Sequence, residues 1–128
     1  MGDYGNTRYN TSRLSPDGKF EAVETFYSDG TMVVVSQIPG VTIGSGVWKQ
    51  TGPQRFTFTF TFYRPDPSSP TKMLPVLVNE NVKMTSRTTY ITTDVIVPLD
   101  AAGKPLFYFP GTVAATRYVF QNFNTLLP

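Results

Sequence analysis

Phe56-Thr57-Phe58-Thr59-Phe60-Thr61-Phe62 sets four phenylalanines at alternate positions with three threonines between them. Successive side chains of a strand point to opposite faces, so this run is read as a β-strand with one aromatic face and one hydroxyl face. Its neighbours carry the same period. Thr51-Gly52-Pro53 is turn chemistry, and before it residues 41–50 form a further strand in which Gly44 and Gly46 mark a bend or bulge. Ser28-Asp29-Gly30 closes a hairpin between residues 20–27 and 31–36, because Asp-Gly between β-rich runs favours a tight two-strand turn. Ser15-Pro16-Asp17-Gly18 is another turn, and residues 1–13 are a polar arm or a short first strand.

Downstream, the proline-rich residues 64–75 are expected to be a long loop or a lid, with Met73 and Leu74 free to close over a cavity mouth. Residues 82–97 exceed the usual strand length and are read as one bent strand or two joined at a bulge near Ile91. Residues 99–104 turn the chain again, residues 106–109 and 111–121 supply the last strand or pair of strands, and residues 122–128 are a tail. The expectation is an all-β fold: a single domain over residues 1–128 of seven to nine antiparallel strands. An antiparallel, eight-stranded barrel removes the exposed sheet edges that the alternative, a β-sandwich, would leave.

Composition narrows the chemistry. The chain has no Cys and no His, which excludes thiol catalysis, thiolate metal sites and imidazole proton shuttles. Acid and base roles fall to Asp, Glu, Lys or Tyr, with pKa values moved by burial. No metal site and no cofactor are expected. The net charge is only +2, with Lys and Arg scattered, so nucleic acid is not an expected partner. No apolar stretch is long enough for a membrane span. A cytoplasmic location is favoured, with secretion left open if a leader has been removed.

The stretch Gly44-Ser45-Gly46-Val47-Trp48-Lys49-Gln50-Thr51-Gly52-Pro53-Gln54-Arg55-Phe56 follows Tyr27-Ser28-Asp29-Gly30-Thr31 and precedes Leu99-Asp100-Ala101-Ala102-Gly103 and Thr116-Arg117-Tyr118. Together these segments resemble small calycin-type barrels, the lipocalin-like and allene-oxide-cyclase-like proteins, with Gly46-Val47-Trp48 similar to the lipocalin Gly-x-Trp element. The resemblance implies an eight-stranded calycin-like barrel that binds an apolar ligand, and in some members a cyclase or isomerase activity.

Four inward phenylalanines form a solid core, one wall of a ligand cavity, or a face used in self-association. The ligand-wall reading assigns Trp48, Phe58, Phe60, Tyr90 and Met73 to ligand contact. Glu24 shares a face with Phe20, Ala22 and Phe26, and Arg117 shares one with Val113, Ala115 and Val119. Both would be charges among apolar neighbours, and a closed barrel can bring them together as a pair. Asp94 is the second carboxylate on an inward phase. Glu24, Arg117 and Asp94 are therefore the candidate catalytic residues, in a cofactor-independent cyclase or isomerase if the protein is an enzyme. The expected function is binding of a hydrophobic small molecule. The alternative is a non-enzymatic barrel acting through its outer surface, as a homodimer or on a protein partner.

Overall fold

The computed structural model describes residues 7–15 and 18–117, and the expected tail at 122–128 lies outside them. Nine strands follow in chain order: β1 (Thr7–Ser15), β2 (Gly18–Phe26), β3 (Thr31–Ser36), β4 (Gly44–Gly52), β5 (Arg55–Asp66), β6 (Ser69–Met84), β7 (Thr89–Pro98), β8 (Phe109–Gly111) and β9 (Ala114–Arg117). No helix occurs among the described residues, and every pairing between strands is antiparallel. The fold is all-β, as the alternation implied.

Neighbours succeed one another in the order β6-β5-β4-β3-β2-β1-β9-β7-β8, and β6 also pairs with β7. Strands β8 and β9 run along the same edge of β7 in one register, from Ile96↔Phe109 to Thr89↔Thr116. They act as one interrupted strand, in which the Val113 amide donates to Thr92 Oγ1 and Thr92 N–H donates to the Val113 carbonyl. The circuit thus passes through eight strands and returns to β1 at the pairs Tyr9↔Arg117 and Asn10↔Thr116. That seam is short beside the ladder from Arg55↔Lys83 to Asp66↔Ser69. Among the described residues this is a rolled sheet, not a barrel laddered shut along its full height.

Two expected boundaries are corrected. Residues 64–75 are no lid: they extend β5 and β6 as a paired hairpin, with Arg64↔Leu74 and Pro65↔Met73 in register. The prolines fit because Tyr63↔Pro75 and Pro65↔Met73 are two steps apart and so point their N–H positions away from each other's strand. The Pro75 carbonyl, turned outward, accepts from Leu99 N–H, and the Tyr63 carbonyl accepts from Thr42 N–H. Asp66 Oδ1 holds the tip by accepting from the amide and hydroxyl of Ser68. Residues 82–97, for their part, contain a hairpin turn between Met84 and Thr89. It is built from hydroxyls, with Thr89 Oγ1 at 2.6 Å from Thr85 Oγ1 and 2.7 Å from Ser86 Oγ.

The inward face is packed at one end and hollow at the other. At the packed end Phe26, Met32, Trp48, Phe56, Phe58, Val82, Met84 and Tyr90 interlock. The Phe26 ring meets Phe56 and Phe58 edge-on at centroid distances of 5.2 Å and 5.1 Å, a geometry favoured by the ring quadrupoles. Trp48 is tied in by its indole N–H, which donates to the Tyr27 carbonyl at 2.8 Å. Further along the same strands the inward positions become smaller, with Ala22, Val34, Gly44, Val76, Val78 and Ile96 in place of rings. Those side chains cannot meet across the sheet, and a void remains.

Candidate functional site

The void is a cavity of about 680 Å³, a volume in the range of small-molecule sites. Phe60 and Phe62 of β5 form one wall, and Val76, Val78 and Ile96 of β6 and β7 form the next. Its mouth is rimmed by Ile38, Pro39, Arg64, Pro65, Pro67 and Phe107. The phenylalanine run is therefore split. Phe56 and Phe58 belong to the solid core and Phe60 and Phe62 to the cavity, so both readings of the run hold at different heights.

Two carboxyl groups, Glu24 and Glu80, line the cavity where it borders the packed end. Their strands, β2 and β6, lie on opposite sides of the eight-strand circuit, so the side chains approach from facing walls. Glu80 stands in register with Phe58 on one side and Asp94 on the other. Asp94 is buried as well but does not line the cavity. The buried Tyr90 hydroxyl donates to Glu24 Oε1. Glu80 Oε1 and both Asp94 carboxyl oxygens are buried without a hydrogen-bond partner.

Electrostatics follow from that burial. An ionised carboxylate out of water, with no cation beside it, is costly and takes up a proton instead. Desolvation raises Glu24 from its ordinary 4.5 to about 8, the Tyr90 hydrogen bond pulling the other way and the Asp94 charge adding to the rise. Glu80 is pushed well above its ordinary value by desolvation and by the charges of Glu24 and Asp94. Asp94 is raised by desolvation, with Thr92 and Glu80 pulling it down. The floor thus offers a neutral acid beside groups that ionise one after another. No three His, Cys, Asp or Glu groups are arranged to hold a metal ion among the described residues.

The residues expected from sequence are distributed unevenly. Glu24 and Phe60 lie at the cavity; Phe58, Trp48 and Tyr90 are in the packed end, Tyr90 reaching Glu24 through its hydroxyl. Met73 is exposed on the β5–β6 hairpin. Beside Trp48 the β4 glycines lie tight against β5, since a Cβ on Gly44 would lie 2.9 Å from the Phe60 ring and one on Gly46 would strike β5 backbone. Arg117 does not meet Glu24. It is exposed on β9, and β1 stands between the two, which sets their backbones about 10 Å apart. Glu24 has the Tyr90 hydroxyl in place of the expected guanidinium.

Glu80 was missed. The signal was present, because Val76, Val78, Glu80, Val82 and Met84 alternate as one apolar face with a single acid in phase, the same sign that marked Glu24. Compared with family models, with curated proteins and with solved structures, the chain matches none of them.

Proposed function

We propose that the protein binds a hydrophobic small molecule whose body lies on Phe60, Phe62, Val76 and Val78 and whose polar end meets Glu24 and Glu80. The observation that carries this reading is an apolar cavity of about 680 Å³ that ends on two buried carboxyls. Apolar walls supply affinity through burial, while a few convergent polar groups fix orientation. A place among the calycin-type barrels belongs to the same proposal and is supported by the eight-strand circuit with a hollow end. A neutral acid next to an ionisable carboxyl, both shielded from water, can give a proton to one atom of a guest and take one from another. This supports a cofactor-independent cyclase or isomerase as the finer form of the reading.

Titration with the neutral dye N-phenyl-1-naphthylamine tests it. Saturable fluorescence enhancement at one site per chain is expected, and Val78→Trp, which fills the void with a ring, should weaken uptake at least about tenfold while leaving the fold intact. Absence of saturable uptake by the wild-type protein would end the reading.

A second reading is favoured by the outer face. In-register rows place Val47, Thr59, Asn79 and Val95 side by side, and next to them Ser45, Thr61, Leu77 and Val97. Val47, Leu77 and Val95 are exposed there, so this surface is apolar and uncharged. It suits a homodimer. Sedimentation equilibrium at micromolar concentration should give a dimer that Leu77→Lys converts to monomer; a wild-type monomer at all concentrations removes this reading.

A further inference from the structure

We infer that the polar end of the ligand is a protonated amine, seated on the cavity floor between Glu24 and Glu80. This rests on the proposed binding function and names the ligand class for the same site. Glu80 is 3% exposed, lines the cavity, and leaves Oε1 without a partner. Behind it Asp94 has only Thr92 and Glu80 beside its carboxyl and no cation, and the Tyr90 hydroxyl is already committed to Glu24. Once one of the three acids ionises, the floor has more acceptors than donors. A carbonyl would bring another acceptor, and an alcohol one donor, whereas an ammonium brings three donors together with the charge that three acids lack.

The surroundings agree with a cation. Among the described side chains, the groups that face Glu24 and Glu80 are Tyr90 and Asp94 from β7 and each other from β2 and β6, with Thr92 beside Asp94. Arg64 lines the cavity near its mouth, six residues beyond the Phe58 that stands opposite Glu80, or about 20 Å along the strand. That is the backbone spacing, and no cation is among the groups that shift Glu24 or Glu80. No metal-binding arrangement competes among the described residues. The proton balance is simple: RNH₃⁺ enters, one floor carboxylic acid releases its proton to buffer, and the resulting carboxylate faces the ammonium. Burial keeps that acid protonated in the empty protein, since Glu24 loses its proton only at about 8.

Three probes of one shape decide the matter by isothermal calorimetry at neutral pH: 2-(1-naphthyl)ethylamine, 2-(1-naphthyl)ethanol and 1-naphthylacetate. The amine should bind at least about tenfold more tightly than the alcohol, the size of effect expected of a charge-assisted hydrogen bond, and the acid most weakly. Heats measured in phosphate and in Tris should report release of close to one proton per amine bound and none for the alcohol. Glu80→Gln should bring amine and alcohol to within about threefold of each other. An alcohol that binds as tightly as the amine, or amine binding without proton release from the wild-type protein, overturns the amine while leaving the cavity reading in place. If none of the three probes binds, the binding function fails and the amine with it.

Discussion

Raising the pH from about 5 to about 9 is expected to remove several kcal/mol of folding stability, the reverse of the ordinary acid lability of small proteins. Glu24, Glu80 and Asp94 all have folded-state pKa values above their unfolded ones. Between those values the folded state binds more protons than the unfolded state, so stability falls as pH rises. Below the ordinary 4.5 of Glu24 the acid is neutral in both states and its burial costs least; the loss develops from there through about 8. A shift of that size corresponds to on the order of 5 kcal/mol for Glu24 alone. Asp29 and Asp66, held low by hydrogen bonds from Thr31 and Ser68, slope the other way, but only below the ordinary 3.8. Urea midpoints measured across this window should fall steadily for the wild type and less steeply for Glu80→Gln, which keeps the volume and removes one titration. A flat profile would mean that the carboxyls meet water.

Gly46→Ala should be the most damaging single methyl addition among Gly30, Gly40, Gly44, Gly46, Gly52 and Gly103. A Cβ at that position would stand 1.8 Å from the Thr59 carbonyl oxygen and 2.7 Å from Phe60 Cα. These are backbone atoms of β5, so no rotamer change relieves the clash and β4 must part from its neighbour. A loss of about 3–5 kcal/mol is expected, a large share of the roughly 5–15 kcal/mol that holds a domain together. Gly52→Ala is the control, because its Cβ meets nothing closer than Arg55 Cδ at 3.9 Å. Denaturant midpoints that move equally for both variants would show that the β4–β5 approach is looser than described.

Much of the fold was legible because it is written in short range. The Phe/Thr alternation, the Asp29-Gly30 turn and the turn at Asp100 and Gly103 each depend on residues a few positions apart, and the structure places strands and turns there. Of the two misread segments, one depends on partners far along the chain and the other on an unusual local turn. Prolines 65 and 75 signal a loop until it is known that their missing N–H positions face away from the partner strand. The turn at residues 85–88 is as local as the others but lacks Gly, Pro, Asn and Asp, and is held instead by hydroxyls two to four positions apart, which carry no familiar turn signal. The site was half legible. Glu24 and Asp94 stood out as acids in apolar phase, but which of Phe56, Phe58, Phe60 and Phe62 would face a void depended on residues across the sheet.

The largest fully buried side chains, Tyr90, Phe26, Phe56, Phe58 and Met32, contribute nothing to the cavity lining. Anchorage and recognition are consequently carried by largely separate residues, and the hollow end can be rewritten at Val76, Val78 or Ile96 without touching the rings that hold the opposite end. Changes of guest should therefore accumulate there cheaply, so that relatives of this chain, or variants selected in the laboratory, would diverge first in what they hold and last in how they fold.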